Sequence, residues 1–443
     1  MKYTTNLTEG YIKKELVILM FPLLLGNILQ QLYNTIDAII VGRFVSQTAF
    51  AAVGVAGTIM NLFIFVLSGS CTGISIIFAH FYGASDLSSF RKESFLATIF
   101  GITLTLGLSI CSIFILSPLL NLIHTPQEVS NIAIPYLNII FCGLIATYFY
   151  NLLSAALRAV GNTKATLIIL MLSMIINTVL DIVFVAVCDF GIQGAASATV
   201  LSQTLASILC FIYIRKNISF LLFRKEDMKF EWKLLRLTLS YSLISALHQS
   251  SLYIGKLLVQ GAVNLMGADM ITAYTATTRI EGFANSFGDS GAEAISIFVA
   301  QNLGNENRKR AKQGFYTGLI TLVCLGIGLS LIMYFFAKTT IEFMTNNANS
   351  RIMINGIEYM KTISIFYVLC FIGSAFVGWY RGSGKVNIPV IGTVLHISIR
   401  VIISYLFIQQ FGLKTIAFAT GIGWVSVVTF QYIIFCRSKK IER

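Results

Sequence analysis

Charge is scarce in this sequence. Asp, Glu, Lys and Arg make up 12% of its 443 residues, against 56% apolar ones, and the mean hydropathy is +0.79. Water-soluble domains carry about 25% charged residues, so this scarcity excludes the soluble classes. The eight cysteines, among them Cys71, Cys142, Cys324 and Cys370, never form a C-x-x-C pair and lie nearly all in apolar stretches, where they read as small core residues. The four histidines are scattered and lack metal-ligand spacing. A phosphate-binding loop is missing too. The nearest approach, Gly378 through Gly384-Lys385, has one residue too many between its glycines and continues into Val386 instead of Ser or Thr. With no nucleophile, metal cluster or paired catalytic motif, the chain is not expected to be an enzyme, and an ion gradient is its expected source of driving force.

What fills the sequence instead is a series of long apolar runs separated by short loops. A helix needs roughly 20 mainly apolar residues to cross the hydrocarbon layer, and a helix satisfies its own backbone there. Twelve spans are predicted, near 16–41, 49–79, 94–117, 131–156, 166–188, 191–214, 236–264, 270–300, 314–337, 352–379, 388–410 and 413–436. The first run has no small-residue cleavage site and carries Asn27, Gln30, Asn34 and Asp37, so it reads as a retained helix.

The net charge of +13 does not point to nucleic acid, because of where the cations sit. The N-terminus, the even-numbered loops and the C-terminus hold 24 of the 32 Lys and Arg residues, including Arg308, Lys309, Arg310 and Lys312. Toward the other side stand only Arg43, Lys338, Arg351, Lys361 and Lys414. By the positive-inside rule both termini are cytoplasmic, in the inner or plasma membrane of the cell.

The chain repeats itself. At an offset of 221 residues, 73–79 (GISIIFA) faces 294–300 (AISIFVA), Gly83 faces Gly304, and Phe190-Gly191 faces Phe411-Gly412. An offset of 223 pairs Arg158 and Gly161 with Arg381 and Gly384. Six helices per half is an even number, so both halves keep one orientation and form a parallel repeat. The expected organisation is an all-α polytopic membrane protein with an N-terminal six-helix lobe (1–214), a charged cytoplasmic linker (215–235) and a C-terminal six-helix lobe (236–443).

Ionisable groups at bilayer depth cost about 2.5–3.5 kcal/mol each on insertion scales, so each marks a candidate site. Asn27, Gln30, Asn34 and Asp37 fall on one face of the first span, and Ser173, Asn177 and Asp181 form a row on the fifth. Tyr136 on the fourth span and Thr199 on the sixth offer further oxygens. Such a set suits a proton, through a carboxyl shifted by burial, or a hard cation such as Na+, and the residue types do not choose between them. The second half carries Lys256, Arg279, Glu281, Asn285, Asp289, Glu293, His396 and Arg400. Their signs nearly balance, and self-neutralising ion pairs are the expected arrangement.

Leu7-Thr8-Glu9-Gly10, Phe21-Pro22-Leu23-Leu24, the run from Gln30-Gln31-Leu32-Tyr33 to Asp37, Val41-Gly42-Arg43 and Ala51-Ala52-Val53-Gly54 closely resemble the opening of the multidrug and toxic compound extrusion (MATE) family. The stretch Gln301-Asn302-Leu303-Gly304-Asn305-Glu306-Asn307 is similar to that family's loop after the eighth helix, and Leu157-Arg158-Ala159-Val160-Gly161 to its loop after the fourth. The resemblance covers essentially the whole chain. It implies a twelve-helix antiporter that exports cationic or amphipathic small molecules in exchange for Na+ or H+. It further implies a cation site at Asp37, Tyr136, Asn177, Asp181 and Thr199, with Na+ held, where it is the ion, by Asp37, Asn177, Asp181 and Thr199. Gln30, Asn34, Asp37, Glu281 and Arg400 are the candidate substrate contacts. Some members place a C-lobe cation site on acids of the seventh and tenth helices; this sequence has no clear equivalent, its seventh span offering Lys256 and its tenth only Glu358 and Lys361 near its outer end. No cofactor beyond the coupling ion is expected, the partners are small organic cations and the bilayer, and the expected state is a monomer. The alternative is a flippase for lipid-linked precursors, for which Lys256, Arg279 and Arg400 would hold a pyrophosphate.

Overall fold

The computed structural model describes residues 4–45, 47–122, 125–345 and 350–441, with the side chains of 34–39, 41–43, 47, 48, 50, 51, 122, 350 and 439–441 outside that description. Among the described residues there are fourteen α-helices and no strand. They are α1 (Ile12–Phe44), α2 (Gln47–Gly83), α3 (Leu87–Leu122), α4 (Gln127–Cys142), α5 (Leu144–Ala159), α6 (Thr163–Asp181), α7 (Gly191–Asn217), α8 (Trp232–Asn264), α9 (Ala268–Gly304), α10 (Arg308–Phe335), α11 (Ala337–Thr345), α12 (Ser350–Gly382), α13 (Asn387–Phe411) and α14 (Lys414–Ile441).

Nine helices among the described residues are long and apolar enough to cross a bilayer, and α4 with α5 forms a tenth, bent by 46°. The other two expected spans correspond to α8 and α9, which at 33 and 37 residues are long enough but too polar to qualify on apolarity. They carry Lys256, Glu281, Asp289 and Glu293, among other polar residues. The fourth span, expected to run unbroken over 131–156, bends at Gly143. A Cβ there would lie 2.4 Å from a methyl of Val200, so α7 packs into the bend and only glycine leaves it room.

The repeat is written in backbone geometry as well as in residue types. Ser85 and Glu306, 221 apart, both have φ of 56°, and each precedes a cap. Asp86 accepts from the backbone N–H of Ser89 at 2.9 Å, and Asn307 from that of Arg310 at 3.0 Å, satisfying an orphan donor at the start of a helix. Gly161 and Gly384, 223 apart, have φ of 77° and 78°, a region that costs an L residue about 1–2 kcal/mol. The two halves therefore use one pair of turns.

By internal contacts the chain forms two compact units. The first holds the residues up to Leu7 and Leu25–Ala246, and the second holds Thr8–Leu24 and Leu247 onward. These units divide within α1 and α8, and the segment 215–235 falls in the first. That segment is charged but not loose. Arg91 at the start of α3 donates to Asp227 at 2.8 Å, Lys92 pairs with Glu231, and the buried Glu93 carboxylate accepts the Thr238 hydroxyl at 2.9 Å. Burial alone would raise the Asp227 carboxyl, but hydrogen bonds from the Arg224 backbone N–H and the Arg91 guanidinium outweigh it and hold it below its ordinary value.

In the first unit Tyr148 is fully buried and donates to the Ala97 carbonyl at 2.8 Å, tying α5 to α3. In the second, Phe315 centres an aromatic cluster with Phe376, Trp379 and Phe435 at ring separations of 5.2–5.4 Å. Arg310 donates to the carbonyls of Glu9 and Gly10, which fixes the entry of α1 to the second unit.

Candidate functional site

Helix α6 is built inside out relative to a helix in water. Ile168, Ile175 and Val179 are 53–58% exposed, while Ser173, Asn177 and Asp181 are at most 2% exposed. In lipid the apolar face needs no cover, so the polar row alone gains from being turned inward. Ser173 donates to the Ser202 carbonyl of α7 at 3.1 Å, and the Ser202 hydroxyl donates to the Thr199 carbonyl at 2.9 Å. The amide nitrogen of Asn177 is buried and has no hydrogen-bond partner among the described groups.

At Asp181 the α-helix gives way to a π-helical segment, Ile182–Val187, with Cys188 bonding five residues back to the Val183 carbonyl at 2.9 Å. Such wide turns concentrate at functional sites because they shift the register of one side chain against its neighbours. Here the side chain at the junction is a fully buried carboxylate. Tyr136 on α4 is 1% exposed, Thr199 on α7 is half-buried, and α4 and α6 both pack on α7. Helix α1 runs beside α6 at Gly26, which faces Leu170.

Four of the five expected cation-site residues are thus on three helices of one unit, α4 and α6 each packed on α7, with Asn177, Asp181 and Tyr136 buried. The side chains of Asp37 and Asn34 lie outside the described residues, and Gln30 is exposed on α1. The donors offered by Asp181, Asn177, Thr199 and Tyr136 are oxygens, the chemistry that suits a proton or a hard cation and not a soft metal. Among the described residues no cluster of His, Cys, Asp and Glu has the arrangement of a metal site.

Glu281 and Arg400 belong to the second unit, where each lies in the other's field. The ion pairs expected there are not found for Lys256, Glu281, Asp289, Arg381 and Arg400 among the described residues; the pairs found include Arg91–Asp227, Lys92–Glu231, Lys338–Glu342 and Lys414–Glu358. Tyrosines stand among the charges instead. Tyr274 accepts from Arg400 at 3.2 Å, and Tyr367 donates to Asn285 at 3.3 Å. His248 meets Arg381 through Nδ1 at 2.8 Å, and because a guanidinium only donates, that nitrogen is the acceptor and the ring proton is on Nε2. Sequence reasoning missed these tyrosines and His248. The available signal was the eight-residue spacing of Tyr359 and Tyr367, which puts both on one face of α12.

A helical membrane protein made of two repeat-related halves, with polar rows buried inside lipid-facing helices, is a transporter by class. The chain belongs to the multidrug and toxic compound extrusion (MATE) family: the MatE family profile matches residues 22–183 and again 245–406. The second match begins 223 residues after the first, the offset that pairs Arg158 with Arg381. The chain is similar to the probable multidrug resistance protein YpnP of Bacillus subtilis, at 26% identity over 99% of this chain and 98% of that one. It is also similar to the probable multidrug resistance protein NorM of Thermotoga maritima, at 26% identity over 98% and 94%. Among solved structures, an outward-facing multidrug resistance MATE transporter matches with a TM-score of 0.91 at 22% identity, covering 99% of both chains. A MOP-superfamily transporter from Pyrococcus furiosus, noted for a binding pocket of reverse polarity, matches at 0.89 with 22% identity over 99% of both chains. The fold is theirs.

Proposed function

We propose that this protein is a secondary antiporter that exports cationic or amphipathic small organic molecules in exchange for Na+ or H+ by alternating access. The observation that carries the reading is the Ser173–Asn177–Asp181 row, withdrawn from solvent in a helix whose other faces are apolar. A fully buried carboxylate is costly to keep unless binding or releasing a cation there is the purpose. Relatives described as probable multidrug resistance proteins support small organic molecules as cargo. The coupling site in this reading comprises Asp37, Tyr136, Asn177, Asp181 and Thr199. Both termini are cytoplasmic in the cell membrane, and the protein works as a monomer.

The test is uptake of a fluorescent lipophilic cation into inside-out vesicles, or its efflux from loaded cells, under Na+ and proton gradients imposed separately. Efflux that follows one gradient establishes antiport and identifies the ion. Failure over a panel of cations, joined by movement of a lipid-linked pyrophosphate, would overturn antiport in favour of a flippase.

A further inference from the structure

In the second unit, cations gather where three helices meet. Arg310 donates to the Gly10 carbonyl at 2.9 Å and to that of Glu9, and its guanidinium stands 5.5 Å over the ring of Phe298 on α9. These contacts hold the start of α1 to the start of α10. Lys13 and Lys14 follow Gly10 on one side of the contact, and Arg308 and Lys309 precede Arg310 on the other, all four exposed. No ion pair is found for these four among the described residues, although Glu9, Glu15 and Glu306 stand near them in sequence. The repeated turn does not demand such cations. At the offset of 221 the first half has Leu87-Ser88-Ser89 where the second has Arg308-Lys309-Arg310, and its next two cations, Arg91 and Lys92, pair with Asp227 and Glu231.

Further along the same three helices lies an apolar groove, lined among others by Leu16, Val17 and Met20 of α1, Ala294 and Ile295 of α9 and Leu322 of α10. Lys13 shares one stripe of α1 with Leu16, Val17 and Met20, and Arg308 returns to the same side of α10 as Leu322. Val17 is 41% exposed, and Ile18 and Phe21 next to it are exposed too, so the groove opens toward the surrounding lipid. At a helical rise of 1.5 Å per residue, its walls on α1 and α10 begin about 9–12 Å from the Arg310–Gly10 contact and end about 15–18 Å from it, the depth of acyl chains beneath a headgroup.

The geometry points to a seat for one anionic phospholipid on this face, its phosphodiester among Lys13, Lys14, Arg308 and Lys309 and one acyl chain in the groove between α1, α9 and α10. The occupant follows from having both parts in line. A soluble anion would use the cations and leave the groove empty; a neutral lipid would fill the groove and leave four like charges facing one another. Juxtamembrane lysines and arginines attract anionic headgroups, and here the membrane-crossing helices that carry them also shape the space for the chain. A lipid bound in this way joins the entry of α1 to α10 and adds to the hold that Arg310 already has on it.

The experiment titrates the purified full chain, stripped of lipid in an uncharged detergent, with phosphatidylglycerol or with phosphatidylcholine of the same acyl chains, and reads the lipid-bound fraction by native mass spectrometry. The wild-type chain should bind phosphatidylglycerol at least tenfold tighter than phosphatidylcholine. Each cation near an anionic headgroup is worth about a fivefold change, so Lys13→Gln with Lys14→Gln should weaken phosphatidylglycerol about 25-fold. Adding Arg308→Gln and Lys309→Gln should erase the preference, while Lys13→Arg with Lys14→Arg should keep it. Thr321→Trp, which fills the groove from a half-buried position, should weaken phosphatidylglycerol at least tenfold with all four cations in place. Equal affinity of the wild-type chain for the two lipids, or an unchanged preference in the two-lysine variant, overturns the seat. Displacement of phosphatidylglycerol by an equal concentration of glycerol 3-phosphate would show a soluble-anion site and overturn it as well.

Discussion

Replacing Asp181 with Asn removes one titratable charge from a fully buried position and changes almost nothing else. The amide has the shape of the carboxylate, so the packing of α6 on α7 and the π-turn that begins at residue 182 should persist. The energetic consequence is specific to coupling. In one-for-one exchange, a tenfold ion gradient holds about 1.4 kcal/mol and can sustain a tenfold gradient of substrate. A membrane potential adds about 2.3 kcal/mol per 100 mV, a factor of about 50, for each net charge moved. A wild-type chain reconstituted in liposomes should therefore concentrate a fluorescent organic cation about tenfold for each tenfold gradient of its coupling ion. Asp181→Asn should only equilibrate it, with a final ratio near one. The assay follows dye accumulation in parallel Na+ and proton gradients, with insertion and monodispersity checked for both proteins. A well-inserted Asp181→Asn chain that still builds the tenfold gradient would refute the coupling role of this carboxylate.

Asp37→Asn tests the same logic on α1: it should abolish coupled export and leave membrane insertion at the wild-type level, read by the same accumulation assay and by quantitative blotting of membranes. Gly161→Ala should destabilise the first unit by about 1–2 kcal/mol from its left-handed backbone alone. Its new Cβ would also sit 2.8 Å from the Thr5 carbonyl, so a melting temperature in detergent equal to the wild type would contradict the turn geometry. Asp227→Asn should lower the melting temperature at neutral pH. Because the folded carboxyl sits below its unfolded value, its contribution is fully present above that value, about 3.9, and fades as pH falls through the folded one. The gap between wild type and variant should thus close in strongly acidic buffer, and a gap that widens there would show that the Arg91 contact is not its source.

How much of this was legible in the sequence depends on whether a feature is periodic. The spans and the repeat are, because crossing lipid demands long apolar runs and a duplicated lobe repeats its turns at a fixed offset. The polar row of α6 is legible for the same reason, since residues four apart share a face. Features set by one neighbour are not. The bend at Gly143 depends on where Val200 packs, the left-handed turns at Ser85 and Glu306 use residues that do not favour that conformation, and the π-turn after Asp181 leaves no mark in residue type. The segment 215–235 reads as a linker because it is charged, yet Asp227 and Glu231 within it pair with Arg91 and Lys92.

The charged residues of the second half show where balance of sign misleads. The nearly balanced signs of Lys256, Arg279, Glu281, Asp289, Glu293 and Arg400 suggest neutralised pairs, but pairing needs side chains to meet, and where they meet is set by how α8, α9, α12 and α13 pack, which balance of sign does not record. The repeat sharpens this. At the offset of 223, Asn177 corresponds to Arg400 and Asp181 to Ser404, and the Ser404 hydroxyl is itself buried without a partner. One scaffold therefore presents a carboxylate and an amide in the first half and a guanidinium and a hydroxyl at the same positions in the second. A guanidinium at the position of Asn177 repels a bound Na+ instead of ligating it, so the second half cannot hold a copy of the cation site proposed for the first half. Introducing Arg400→Asn together with Ser404→Asp recreates the first-half residue types. That double variant should gain Na+-dependent protection against thermal unfolding beyond the wild-type response, and equal Na+ responses in the two proteins would show that these positions do not set ion binding.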